Sequence, residues 1–358
     1  MKANAMVLVK PGRLELREYE LRRPTGEEML IKTRVTSVCS TDIKVFHGKI
    51  GAAGYPVIMG HEFVGEVVEI GNQAAKRYHV AVGDRVTPEP YIPCGHCHWC
   101  RTDHHYHNCP SVSTYGLSLS CEQPPYLLGG YSEYVYLIPG TLLHKLDPGT
   151  PDLAGSLSSV VGNGVRWVKT LGQMSFGQKL VISGAGSQGL CALAAAKEAG
   201  AGPIVMLGLS SDQARFELAR EIGVDSIVEV DRQDPLQFVP IALGAAPDVV
   251  IETSGAPAAI QTAIKLVRRS GRVVSIGLTG GKETPITFDD LVWKDITLVC
   301  GKGQAGNVGD AMRLINSRKY PFDKINNFNY RLTDLEKALN DTEHPPKGFI
   351  KAAVVFDK

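Results

Sequence analysis

The stretch Lys179-Leu180-Val181-Ile182-Ser183-Gly184-Ala185-Gly186-Ser187-Gln188-Gly189 runs from an apolar, β-branched segment through spaced glycines into a segment rich in Ala and Leu. A G-x-G-x-x-G between a strand and a helix has a mechanical reading. Gly184 permits the tight turn, Gly186 lets the backbone approach a pyrophosphate at the helix N-terminus, and Gly189 lets helix and strand pack closely, with Ser187 and Gln188 between them. Five more short apolar runs follow, at 203–207, 226–230, 248–252, 272–276 and 296–300, interleaved with helical periodicity over 188–199, 212–222 and 258–267. Strands alternating with helices predict an α/β, doubly wound parallel sheet of the Rossmann type, which binds a dinucleotide.

The acid that holds the ribose 2′-hydroxyl of NAD is expected about 20 residues after such a loop, at the end of the second strand. Here Leu207 is followed by Gly208, Leu209, Ser210 and Ser211. Without a carboxylate to repel it, a 2′-phosphate can be met by Ser210 and Arg215, which favours NADP.

The first 150 residues carry a different pattern. Strand alternation at 14–19, 29–38, 63–70 and 131–138, broken by Gly and Pro turns, predicts a mostly β domain with long loops. Near the end, a short helix capped by Thr333 precedes an apolar strand at 352–356, which needs a sheet to join and is expected to return to the first domain. A chain of 358 residues fits two domains. We expect 1–155 with 302–358 as the first, and 156–301 as the dinucleotide-binding one.

The charge balance of 38 basic against 37 acidic residues, formally +1, leaves no positive field for nucleic acid or an anionic membrane. With 44% hydrophobic and 21% charged residues the chain has the composition of a globular protein. No apolar run reaches the length of a membrane span and the opening residues lack a signal-peptide core, so a cytoplasmic protein is expected.

Four of the eight cysteines, Cys94, Cys97, Cys100 and Cys109, form C-x2-C-x2-C-x8-C on one loop. Four thiolates on short tethers suit a tetrahedral zinc, and a closed sulfur shell braces a loop without doing chemistry. The neighbouring His96, His98, His104, His105 and His107 could compete as ligands, but with four sulfurs satisfying the ion most of them are expected to be exposed loop residues. A Cys and a His from separate loops, Cys39 in Cys39-Ser40-Thr41-Asp42 and His61 in Gly60-His61-Glu62-Phe63, can hold a second zinc with a position open for a substrate oxygen.

With these motifs the chain resembles the zinc-dependent medium-chain dehydrogenase/reductase family, near its alcohol, polyol and threonine dehydrogenases, over nearly its full length. The resemblance implies a GroES-like catalytic domain beside the Rossmann domain, with a cleft between them, and a homodimer or homotetramer. It makes Cys39 and His61 catalytic-zinc ligands, Glu62 the neighbouring carboxylate that approaches the metal, and Thr41 the hydroxyl that takes the substrate proton. It makes the four clustered cysteines the structural zinc site. It also puts Ile276 and Leu278 beside the nicotinamide amide and Lys351 on the cofactor phosphates.

Three features depart from the family pattern. Ser159, in Ser159-Val160-Val161-Gly162-Asn163-Gly164, stands where the third protein ligand belongs, and a hydroxyl is a poor zinc ligand. Either Glu62 or water replaces it, or the catalytic zinc is weak or absent. Lys44 occupies the position of the relay histidine, which sends the proton from Thr41 to Lys44, His47 or solvent. The last gap in the cysteine cluster is one residue longer than usual. The reading that follows is a zinc-dependent oxidoreductase moving hydride between NAD(P) and a secondary alcohol, polyol or ketone. Its rivals are a zinc-independent NADPH reductase of the same fold and a non-catalytic nucleotide-binding protein.

Overall fold

Short apolar runs that alternate with helices bury their backbone hydrogen bonds most completely as a parallel sheet covered on both faces. The computed structural model, which describes residues 1–50, 54–102 and 105–357, has that sheet in six strands. Its order is Ser226–Glu229, Ile204–Gly208, Leu180–Ser183, Val249–Glu252, Arg272–Ser275 and Thr297–Cys300, every neighbouring pair parallel. Strand order reverses beside Leu180–Ser183, and in such sheets the crevice at that point, beyond the carboxyl ends, takes the ligand. The core beneath it contains Val181, Val205, Leu207, Val228, Val250 and Val273, closed by Val239, Leu243 and Leu266 from the helices.

Helices Ser187–Glu198, Gln213–Ile222 and Pro257–Leu266 occupy the three expected segments. Two more crossovers, Pro235–Leu243 and Phe288–Lys294, join them. The first contains Pro240, which argues against a helix in sequence. It forms because Asp234 caps it, accepting from the Leu236 amide at 2.9 Å, and because Pro235 sits in the first turn, where no amide is needed.

This sheet lies in a compact unit spanning Val160–Ala311, and Met1–Ser159 with Met312–Lys358 forms the other. The latter is mostly β. Its main sheet runs Leu143–Lys145, Arg85–Pro88, Glu62–Ile70, Met29–Ser37, Ala352–Val355 and Phe328–Tyr330, and Tyr134–Leu137 shares one edge of Met29–Ser37 with Ala352–Val355. The terminal strand does return to the first unit, antiparallel to Met29–Ser37. Thr333 does not cap the preceding helix. It lies inside the 3-10 turn Leu332–Asp334, and Leu335–Glu343 starts after Asp334 with no side-chain cap.

Register at one end of this sheet decides what meets there. Ser37 faces Glu62 on one side and Ala353 on the other. Two residues beyond Ser37 the chain reaches Cys39, one before Glu62 is His61, and two before Ala353 is Lys351. Side chains far apart in sequence are thus delivered to one spot by antiparallel pairing.

Candidate functional site

Cys39 is the N-cap of the Ser40–Phe46 helix, and its amide donates to Asp42 Oδ2 at 2.8 Å. Gly60, ahead of His61, has φ +90°, and a Cβ there would stand 2.9 Å from Thr36 Cγ2 and 3.0 Å from the Tyr131 amide nitrogen, so only glycine fits the turn. The Cys39 sulfur, a His61 ring nitrogen and a Glu62 carboxylate oxygen lie within 4.8 Å of one another. Zinc at about 2.0–2.3 Å from such donors needs only a small contraction of that triangle, so the residues fit the ion.

Asp42, fully buried, is a member of this site that motif reading missed. Its Oδ2 also accepts from the Tyr131 hydroxyl at 2.9 Å, and Oδ1 lies 3.3 Å from His61 Nδ1. A carboxylate against Nδ1 leaves Nε2 for a metal and fixes the ring. Burial alone would push the Asp42 carboxyl up and the His61 imidazolium down. Their mutual attraction outweighs it, holding Asp42 below the carboxylate range and raising His61 well above the histidine range. Burial, then Asp42, drive Tyr131 well above the usual phenol.

Lys351, expected on the cofactor phosphates, is placed otherwise. It is buried, with its ammonium 2.9 Å from Glu62 Oε2 and donating to the Val38 carbonyl at 2.8 Å. Burial lowers its pKa, but Glu62 and then Cys39 outweigh that and hold it above the ordinary lysine value. Ser159 is buried on the Ser158–Val165 helix, and the third charged donor beside Cys39 and His61 is Glu62. Thr41 and Lys44, both half-buried, lie one turn apart on the Ser40–Phe46 helix. His47, one of the proposed relay stations, is held by Glu343, with 2.8 Å between Nε2 and Oε2.

The four clustered cysteines also converge. Their sulfurs lie within 4.8 Å of one another, with 3.4 Å between Cys97 and Cys100 and 3.8 Å between Cys94 and Cys100. Four sulfurs at about 2.3 Å from one zinc stand about 3.8 Å apart, so this cage fits the ion almost without adjustment. Backbone amides of His96 and Cys97 pull the Cys94 thiol down to about 6, while desolvation and Cys97 push Cys100 up to about 12. His104 lies outside the described residues. His107 is buried rather than exposed, and His96 turns its Nδ1 to the Cys94 carbonyl at 2.9 Å.

In the other unit, Gly186 is the N-cap of the twelve-residue Ser187–Glu198 helix with no side chain capping it. The first-turn amides are therefore available to an anion. A Cβ on Gly186 would meet nothing within 4 Å, an open approach of the kind a pyrophosphate needs, whereas one on Gly189 would stand 1.9 Å from the Gly184 carbonyl oxygen. Gln188 Oε1 receives the Asn163 amide at 3.5 Å. Ile276 donates its amide to the Glu252 carbonyl at 3.0 Å, and Leu278 is exposed on the loop pressed against Gly255.

The two residues expected at a 2′-phosphate have other partners. Arg215 pairs with Asp212 at 2.6 Å, and Ser210 donates its amide and hydroxyl to Asp231 at 2.8 and 2.6 Å. Carboxylates already hold both groups. A Cβ on Gly208 would meet the Phe216 ring at 2.8 Å, so an acid cannot be placed there without moving a buried aromatic side chain.

The sequence pattern of alcohol dehydrogenase GroES-like domains matches residues 25–148, and that of zinc-binding dehydrogenases matches residues 189–316. The chain belongs to the zinc-type medium-chain alcohol dehydrogenase family. It is similar to L-threonine 3-dehydrogenase of Pyrococcus horikoshii, 34% identical with 92% of each chain covered, and to sorbitol dehydrogenase of Halalkalibacterium halodurans, 30% identical with 95% of each covered. An alcohol dehydrogenase of Thermotoga maritima superposes with a TM-score of 0.88 at 25% identity, over 99% of both chains.

Proposed function

We propose that this chain catalyses reversible NAD(P)-linked oxidation of a secondary alcohol or polyol to the ketone at the Cys39, His61 and Glu62 site. The observation that carries the reading is the convergence of a thiol, an imidazole and a carboxylate at paired strand ends. The names of the similar proteins, threonine and sorbitol dehydrogenases, support a CH–OH substrate. When bound, zinc supplies Lewis acidity toward the substrate oxygen, and the nicotinamide supplies the hydride acceptor.

The chain's own residues do the rest. Asp42 holds His61 with Nε2 turned to the site. Thr41 accepts the hydroxyl proton of the alcohol at its Oγ1 as it donates its own proton onward to solvent, on the stretch of helix where Lys44 lies one turn along. The Gly184–Gly189 loop and the amides of Ser187 and Gln188 hold the pyrophosphate. Glu62 supplies the negative charge that Ser159 cannot, while Cys94, Cys97, Cys100 and Cys109 hold a separate zinc that braces their loop.

Among the described residues the Thr297–Cys300 strand has one sheet neighbour, and Trp293, Val292 and Phe288 on the helix before it are exposed. That edge supports a homo-oligomer, dimer or tetramer, in which it is covered by a second copy. None of the eight cysteines is disulfide-bonded, and four of them form the candidate zinc cage, which supports a reducing, cytoplasmic setting.

The test is zinc analysis beside a screen of secondary alcohols, polyols and ketones with NAD and NADP. We expect two zinc ions per chain and turnover that Cys39→Ser abolishes. Turnover retained in a protein that never carries more than one zinc would refute the metal reading and favour the zinc-independent reductase.

A further inference from the structure

We propose that Lys351 is a built-in competitor of the metal: its ammonium holds Glu62 and thereby sets how tightly zinc is retained at the Cys39, His61 and Glu62 site. The inference rests on the reading of that trio as a metal site and adds to it the residue that tunes it.

Lys351 and Glu62 are both buried, so neither charge can turn to water, and each is held by the other at 2.9 Å. The ammonium cannot drift away, because it also donates to the Val38 carbonyl at 2.8 Å, and Val38 directly precedes the ligand Cys39. The register that brings Ala353 opposite Ser37 fixes its backbone at the same end of the sheet. A divalent ion drawing on Glu62 must therefore share the carboxylate with a fixed positive charge, in surroundings that screen charge poorly.

Two physical effects act in the same direction. Part of the Glu62 charge is already neutralised by Lys351, and the ammonium repels the ion itself. At the cysteine cluster, by contrast, the candidate ligands among the described residues are four thiols and no carboxylate. The two sites should thus differ in retention because of a residue that is itself no ligand.

A purely structural Lys351, needed only to hold Glu62 and Val38 in place, predicts the reverse response to its removal. The experiment measures zinc retention at both sites of the full chain by competition with a chelating dye, in the unmodified protein and in Lys351→Met, Lys351→Gln and Lys351→Arg. Gln keeps a donor for the Val38 carbonyl and serves if Met does not fold. We expect the neutral variants to hold the weaker zinc on the order of tenfold more tightly, with the cysteine-cluster zinc unchanged and Arg restoring ordinary retention. Equal or weaker retention in a folded neutral variant overturns the role of Lys351. An unmodified protein that takes up no second zinc at saturating zinc overturns the trio itself, so the two failures are told apart.

Discussion

Replacing Asp42 separates the structural from the metal-orienting part of its role. The carboxylate accepts from the Cys39 amide at 2.8 Å and the Tyr131 hydroxyl at 2.9 Å, with no exposure to solvent. Asp42→Ala orphans both donors, and at about 1–3 kcal/mol for each buried unsatisfied group the loss is about 2–6 kcal/mol. Asp42→Asn keeps the shape and one acceptor oxygen, so stability should fall by less than about 2 kcal/mol. Its amide now donates toward His61 Nδ1, which moves the ring proton to Nε2, the nitrogen needed by the metal. Zinc affinity at that site should drop by about 10–100-fold while the cysteine-cluster zinc stays. Thermal unfolding of both variants, with zinc counted per chain across a chelator series, reads the two effects separately. A folded Asp42→Asn protein that holds its second zinc as tightly as the unmodified chain would refute this account of the site.

Cys97→Ser should release one zinc per chain and lower the melting temperature by about 6–12 °C, the scale of a loss of about 3 kcal/mol; an unchanged melt with the zinc still bound would count against the cage. Gly189→Ala puts a methyl 1.9 Å from the Gly184 carbonyl oxygen, so we expect about 1–3 kcal/mol of destabilisation and weaker NAD(P) binding by calorimetry, and unaltered affinity would contradict the loop assignment. Arg22 grips both oxygens of Glu28, and with the Thr25 amide holds its carboxyl down at about 2, below the ordinary 4.5. A depressed carboxylate stabilises the fold above its unfolded pKa and loses that contribution as pH falls toward the folded one. The half-exposed Arg22 limits the gain to about 1 kcal/mol, so the melting difference between the chain and Glu28→Gln should narrow below pH 4.5; a pH-independent difference would exclude the ion pair as its source.

What could be read in the sequence was what repeats a local rule. The G-x-G-x-x-G loop, the six strands and the cysteine cluster each sit within a short stretch whose spacing carries the chemistry. The roles of Asp42 and Lys351 depend instead on long-range register, because residues 42, 61, 62 and 351 share an environment only when three strands pair as they do. Ser210 shows the same gap, since Asp231 reaches it through the parallel pairing of Ile204–Gly208 with Ser226–Glu229. For Arg215 a signal was available: Asp212 lies three residues earlier, at the N-cap of the same helix, the spacing of an ion pair. The Pro235–Leu243 helix escaped because its interior proline argues locally against what its cap and buried face support.

The return of the last strand to the first unit has a consequence for how the molecule is made. Residues 160–311 can fold as soon as they leave the ribosome, since their sheet draws on no later segment. The first unit cannot. Until Ala352–Val355 emerges, the Val35–Ser37 edge of the central strand lacks that partner and Glu62 lacks its counter-charge. For most of synthesis the part of the chain translated first is therefore the unfinished one, with an open strand edge, and truncation ahead of Ala352 should leave the later-made domain intact while the earlier-made one goes to chaperones or proteases.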